Sequence, residues 1–235
     1  MNTILKSGSY LIAIAMICFS CTSSEGGWVD LLEGDNLDQW HTYGKGKNFN
    51  GWTVKNGILE FNQGPGTELG ANNLVTDSIF TNFELSLEWM ISSRGNAGLF
   101  WSVVEEDQYE HAYVTGPEIQ ILDDRWTEYI EERGDVTRAG ALYNLLPPSE
   151  VVSRPANIWN KYLLHIDHQE NVGYLVFNDK EVLRFPVHGP EWESMIADSG
   201  FGDNSAFGRS ESGRIGLQEW GSKVAFRNIK LRKLP

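Results

Sequence analysis

Glu118 and Gln120 stand two apart in the run Glu118-Ile119-Gln120-Ile121-Leu122-Asp123, where polar and apolar residues alternate. That period of two is the period of a β-strand, whose successive side chains point to opposite faces. The carboxylate and the amide therefore share one face and the two isoleucines share the other. If the isoleucines plug a core, Glu118 and Gln120 look into a cleft, and a bulge near Leu122 would return Asp123 to the same face. A carboxylate of suitable pKa can take a proton from a substrate, and an amide beside it can steady the negative charge that results. The plainer alternative is that Glu118 is structural and pairs with Arg138 or with another strand.

A second group lies in the last quarter of the chain. Gly213 to Leu231 reads as two short strands around a Gly221-Ser222 turn. The first strand sets Ile215, Leu217 and Glu219 on one face and Gly216, Gln218 and Trp220 on the other. Amides, an acid and an indole on a strand that also closes a core suit a polar, ring-shaped ligand, and sugars are such ligands. Nine Trp and eight Tyr are many for 235 residues. Trp101, Trp220 and Tyr143 are the candidates for stacking against a sugar face, with core packing as the competing use of each. Asn96, between Gly95 and Ala97, suits a turn. Arg227 on the final strand suits an ion pair as well as a developing oxyanion. The five histidines are scattered. His165 and His168, three apart on an expected strand, face opposite ways and make a poor zinc pair. His111 is an alternative base.

Composition narrows the classes of function. Nineteen Lys and Arg against 32 Asp and Glu give a net charge of −13, which disfavours a nucleic-acid partner and a charge-driven grip on anionic lipid. Both cysteines, Cys18 and Cys21, lie near the N-terminus, so the body of the chain has neither a thiol nucleophile nor a disulfide framework. Lys6 followed by the apolar run Tyr10 to Phe19 has the form of an export signal and is short for a membrane span. Residues 1–20 are expected to be a lipoprotein signal peptide cut before Cys21, which would carry lipid, with residues 21–27 as a tether. The protein would then be lipid-anchored in a bacterial envelope, touching the membrane through that anchor alone, with its oligomeric state left open.

Residues 28–235 show no linker and no repeat, and read as one domain. Strands are expected over 51–61 (a hairpin turning at Asn56-Gly57), 73–76, 83–91, 97–104, 118–122, 139–144, 160–168, 173–177 and 181–185, followed by the C-terminal pair. Short helices are expected at 127–133 and 191–197. Many short strands with turn signals between them predict an all-β antiparallel sandwich.

Fragments spread along this stretch resemble the 3-keto-disaccharide hydrolase domain family, a jelly roll of the concanavalin A and laminarinase type. They include Leu31-Leu32-Glu33-Gly34-Asp35-Asn36-Leu37-Asp38-Gln39-Trp40, Gly51-Trp52-Thr53-Val54, Gly95-Asn96-Ala97-Gly98-Leu99, Glu118-Ile119-Gln120-Ile121-Leu122-Asp123, Gly140-Ala141-Leu142-Tyr143, Gly213-Arg214-Ile215-Gly216-Leu217-Gln218 and Phe226-Arg227-Asn228-Ile229. The chain departs from the family pattern where Phe100-Trp101 replaces an arginine and where Trp220 replaces a histidine. The resemblance implies cleavage of a sugar oxidised at C3. A base removes the acidified C2 proton and the C1 substituent leaves. On this reading Glu118 is the base, and Gln120, Asn96, Arg227 or a bound divalent cation such as Ca2+ stabilises the oxyanion. Gln218, Glu219 and Asp123 complete the site as sugar contacts or metal ligands. The run at 118 also resembles the Glu-x-Asp-x-x-Glu strand of laminarinases, whose outer acids act as a pair roughly 5 Å apart. Here Asp123, one methylene shorter than Glu, makes that spacing harder to reach.

Overall fold

The computed structural model describes residues 27–64 and 68–235. The expected signal peptide, Cys21 and all of the tether except Gly27 lie outside the described residues. The strands run β1 (Val29–Asp30), β2 (Trp40–Thr42), β3 (Trp52–Lys55), β4 (Ile58–Phe61), β5 (Leu74–Thr76), β6 (Phe83–Ile91) and β7 (Asn96–Val103). There follow β8 (Glu118–Leu122), β9 (Asn160–Asp167), β10 (Val172–Phe177), β11 (Lys180–Phe185), β12 (Arg214–Glu219) and β13 (Val224–Lys233). Two helices, α1 (Thr127–Arg133) and α2 (Gly189–Ala197), sit in the connections.

The described strands form two antiparallel sheets, one ordered β11-β10-β9-β6-β13-β4-β3 with β1 also paired to β13, the other ordered β2-β5-β12-β7-β8. Alternation explains how they stack. In β6, Leu85, Leu87, Trp89 and Ile91 are buried, while Ser86, Glu88 and Met90 lean toward solvent. In the smaller sheet, Ala97, Leu99, Trp101, Ile119, Ile121, Ile215 and Leu217 join the same apolar core. Burying each such large side chain contributes about 1.5–3 kcal/mol before chain entropy is counted. This is the expected all-β sandwich.

The Asn56-Gly57 turn adopts positive φ at both residues (53° and 72°), as a tight hairpin requires. The chain differs from expectation at 139–144. These residues form an irregular segment along the free edge of β8 rather than a strand, held by an isolated bridge between Ile119 and Leu142. Gly140 is the reason: its φ of 81° lies outside the extended region a strand needs. The short strands β1 and β2 were too brief to carry a readable period.

Candidate active site

The outward face of the smaller sheet positions the chemistry. Register places Gln218, Gly98 and Gln120 side by side across β12, β7 and β8, with Gly216, Phe100 and Glu118 in the neighbouring row. Gly98 is essential to this packing. A Cβ built on it would lie 2.0 Å from Glu118 Oε1 and 2.6 Å from its carboxyl carbon. The Glu118 side chain is therefore folded across the sheet over a strand that has no side chain at that point. Gln120, with its amide oriented to satisfy its neighbours, donates to Glu118 Oε1 at 3.0 Å and to the Ala97 carbonyl at 2.9 Å. The backbone of β8 is fixed from both sides. Tyr162, from the opposite sheet, donates its hydroxyl to the Gln120 carbonyl at 2.7 Å. From the edge segment, Gly140 donates to that same carbonyl and Tyr143 donates its N–H to the Glu118 carbonyl, each at 2.9 Å.

Above this floor is a cavity of about 340 Å3, at the small end of the range for small-molecule sites. Asn96, Glu118, Gln120 and Gln218 supply its polar groups from the sheet. Loops and α1 supply two aromatic clusters. In one, Tyr113 and the exposed Trp220 meet edge to face at 6.5 Å. In the other, Tyr143 lies 6.5 Å from Phe201, and Tyr129 carries Arg133 over its ring at 4.9 Å. Asn144 completes the lining.

Glu118 is the electrostatic centre. Burial pushes its pKa up from 4.5 to about 8, and the nearby Gln218 amide works the other way without cancelling the effect. Desolvation disfavours the ionised carboxyl because little here replaces its hydration. The Tyr143 hydroxyl is driven well above the ordinary phenol range, first by burial, then by the neighbouring Tyr129 and by the charge of Glu118.

Of the sequence candidates, Glu118, Gln120, Asn96, Tyr143, Gln218 and Trp220 converge on the cavity. Four others lie elsewhere. Trp101 points inward, 2% exposed, and packs on Phe185 at 5.7 Å, because it shares the core-facing side of β7 with Ala97 and Leu99. Glu219 is on the same face of β12 as Leu217 and is fully buried. It accepts from the Asn72 and Gly221 amides at 3.0 Å each and so ties a loop to the sheet. Arg227 belongs to the other sheet, where it grips Glu88 Oε2 at 2.6 and 2.8 Å and covers the Trp159 ring at 4.1 Å. It is an ion-pair partner outside the cavity lining.

Asp123 is also buried away from the cavity, accepting from the Arg94 and Arg125 amides at 2.9 and 3.3 Å. Its oxygens are used in a turn, and among the described residues no three His, Cys, Asp or Glu side chains gather as a metal site. Asp123 therefore does not serve as a ligand for the divalent cation that the sequence left possible. His111 stacks on Tyr113 at 4.9 Å outside the lining. Arg138 pairs with Asp135 at 2.6 Å, leaving Glu118 without that partner.

Tyr113, Tyr129, Arg133, Asn144, Phe201 and Gly98 were not among the sequence candidates. Tyr129 and Arg133 carried a usable signal, since they lie four apart on a helix and so share a face. Gly98, a glycine inside a strand, marks a close approach by another group.

Residues 27–232 match the domain family described as 3-keto-alpha-glucoside-1,2-lyase-like. A 3-keto-disaccharide hydrolase from Bacteroides thetaiotaomicron is 28% identical over 232 residues, covering 88% of this chain and 79% of the relative. Among solved structures, a Parabacteroides distasonis protein provisionally described as a glycosyl hydrolase superposes with a TM-score of 0.80 at 25% identity, covering 89% of this chain and 95% of its own. A second from the same organism, with the same provisional description, reaches 0.65 at 22% identity, covering 88% and 99%.

Proposed function

Because the chain belongs to the family of 3-keto-alpha-glucoside-1,2-lyase-like domains, we propose that the Glu118 cavity cleaves 3-keto-glycosides, 3-keto-disaccharides among them. Cleavage proceeds by removal of the C2 proton, loss of the C1 substituent and addition of water. A ketone at C3 acidifies the proton on C2, so one base suffices and no enzyme nucleophile is needed. The observation that carries the reading is the solitary carboxyl. Among the residues lining the cavity Glu118 is the one acid, and its pKa of about 8 makes it a stronger base than an ordinary glutamate. A conventional glycosidase needs a second carboxyl roughly 5–9.5 Å away across the scissile bond, and Asp123 is engaged elsewhere. The amides of Gln218 and Asn96 are the neutral donors available to the enolate oxygen, since that of Gln120 is used on Glu118 and Ala97.

The test is incubation of the protein with a 3-keto-glycoside and with its unoxidised parent. Turnover of the keto sugar alone supports elimination. Saturable binding of either sugar without turnover supports the second reading, a carbohydrate-binding module, which the exposed Trp220 beside Tyr113 favours as a stacking platform. The lipid anchor at Cys21 and the envelope location are part of this proposal. Cys21→Ala should shift the protein from the membrane fraction to the soluble fraction of the envelope, and retention in the membrane fraction would remove the anchor.

A further inference from the structure

Elimination leaves one requirement unmet by Glu118. The departing C1 oxygen of a sugar is a poor leaving group as an alkoxide and needs a proton as the bond breaks. We infer that Tyr143 is the general acid that supplies it, and that Tyr129 and Arg133 form the path by which its proton is replaced. This inference rests on the reading just given.

Three placements carry it. Tyr143 and Glu118 are backbone partners, the Tyr143 N–H bonding to the Glu118 carbonyl at 2.9 Å, and both line the cavity. A base and an acid therefore stand beside each other at one substrate. Next, Tyr129 also lines the cavity and raises the proton affinity of the Tyr143 hydroxyl, and Arg133 lies over the Tyr129 ring at 4.9 Å. Arg133 is the cation among the lining residues and its side chain is about half exposed. The series Tyr143, Tyr129, Arg133 thus runs from the half-buried cavity lining to water. Finally, the charges sort in the required order. Burial first, then Tyr129, then the Glu118 carboxylate hold the Tyr143 proton in place before reaction, and Arg133 acts oppositely on the same hydroxyl. When Glu118 gains the C2 proton its charge is gone, and its share of the restraint on Tyr143 is lifted as the leaving oxygen needs the proton, while the effect of burial stays.

Glu118 carboxylate takes the C2 proton, and the C2–H electron pair forms the C1=C2 double bond in conjugation with the C3 ketone. The C1–O bond breaks, its pair goes to the oxygen, and the oxygen takes the Tyr143 proton. The Tyr143 phenolate, steadied by Arg133, regains a proton through Tyr129 from water. The substrate is neither oxidised nor reduced.

Tyr143→Phe, which keeps the ring and its packing on Phe201, is the variant to make. The probes are two 3-keto-glucosides, one with a sugar leaving group and one with 4-nitrophenol, which departs readily as its anion. The expected result is a kcat loss of about 10²–10⁴-fold for the sugar and less than about 5-fold for the nitrophenyl compound, with little change in KM. Equal losses on both probes, or undiminished cleavage of the sugar, would overturn the acid role. Tyr129→Phe should slow the sugar substrate by a smaller factor and increase the solvent isotope effect. Should the wild-type protein cleave neither probe, it is the elimination reading itself that fails.

Discussion

Replacing Glu118 with glutamine tests the site through two independent readouts. Glutamine keeps the shape that fits over Gly98 but neither ionises nor accepts a proton usefully. The wild-type carboxyl has a pKa of about 8 in the folded chain against 4.5 ordinarily. Between those values the folded state holds a proton that the unfolded state has lost, so folding stability falls as pH rises through that window. Desolvation of the ionised form therefore costs roughly 3 kcal/mol at pH 7 and, as an upper bound, roughly 5 kcal/mol above pH 8. Glu118→Gln removes that cost. Denaturant unfolding of the two proteins at pH 5, 7 and 8.5 should give curves that nearly coincide at pH 5 and separate progressively, with the variant more stable by several kcal/mol at pH 8.5. In melting temperature this amounts to roughly 10 °C for a chain of this size. Activity should move the other way. Wild-type kcat/KM should climb with pH, with about a tenth of the carboxyl ionised at pH 7, and level off above about 8. The variant should lose about 10²–10⁴-fold. A stability difference that does not change with pH would refute the buried-acid argument. A folded variant with wild-type turnover of a 3-keto-glycoside would remove Glu118 as the base.

The remaining expectations concern what holds that carboxyl and what does not. Gly98→Ala forces a Cβ to within 2.0 Å of Glu118 Oε1, so kcat should drop about 100-fold or more from misplacement, with a folding cost of about 1–3 kcal/mol. Circular dichroism and turnover measured together check it, and full activity would show that the side chain need not cross the strand. Arg227→Gln breaks the pair with Glu88 on the other sheet, where both side chains are partly exposed. A melting scan should show a loss of about 1 kcal/mol, while kcat and KM stay at wild-type values.

Much of the sandwich was legible in the chain because alternation is local. Phe83 to Ile91 and Glu118 to Leu122 each announce a strand and its two faces from residue types alone, and the face holding Glu118 and Gln120 follows with no knowledge of neighbours. The same rule already separated Gln218 from Glu219, which share a sequence but lie on opposite faces of β12. What alternation cannot say is which face meets the other sheet and which meets a cavity, nor which loops roof it. Trp101 and Arg227 were credible sugar and oxyanion contacts until strand order put one in the core and the other on the far sheet. The Tyr129 and Arg133 side chains come from a helix, and Tyr143 from an edge segment that Gly140 keeps out of regular strand geometry. Their meeting with Glu118 depends on contacts between residues distant in sequence. The residue types of Glu118 and Gln120 were set by the chain. The elevated proton affinity of Glu118 was decided by folding, because only tertiary packing over Gly98 strips its carboxyl of water.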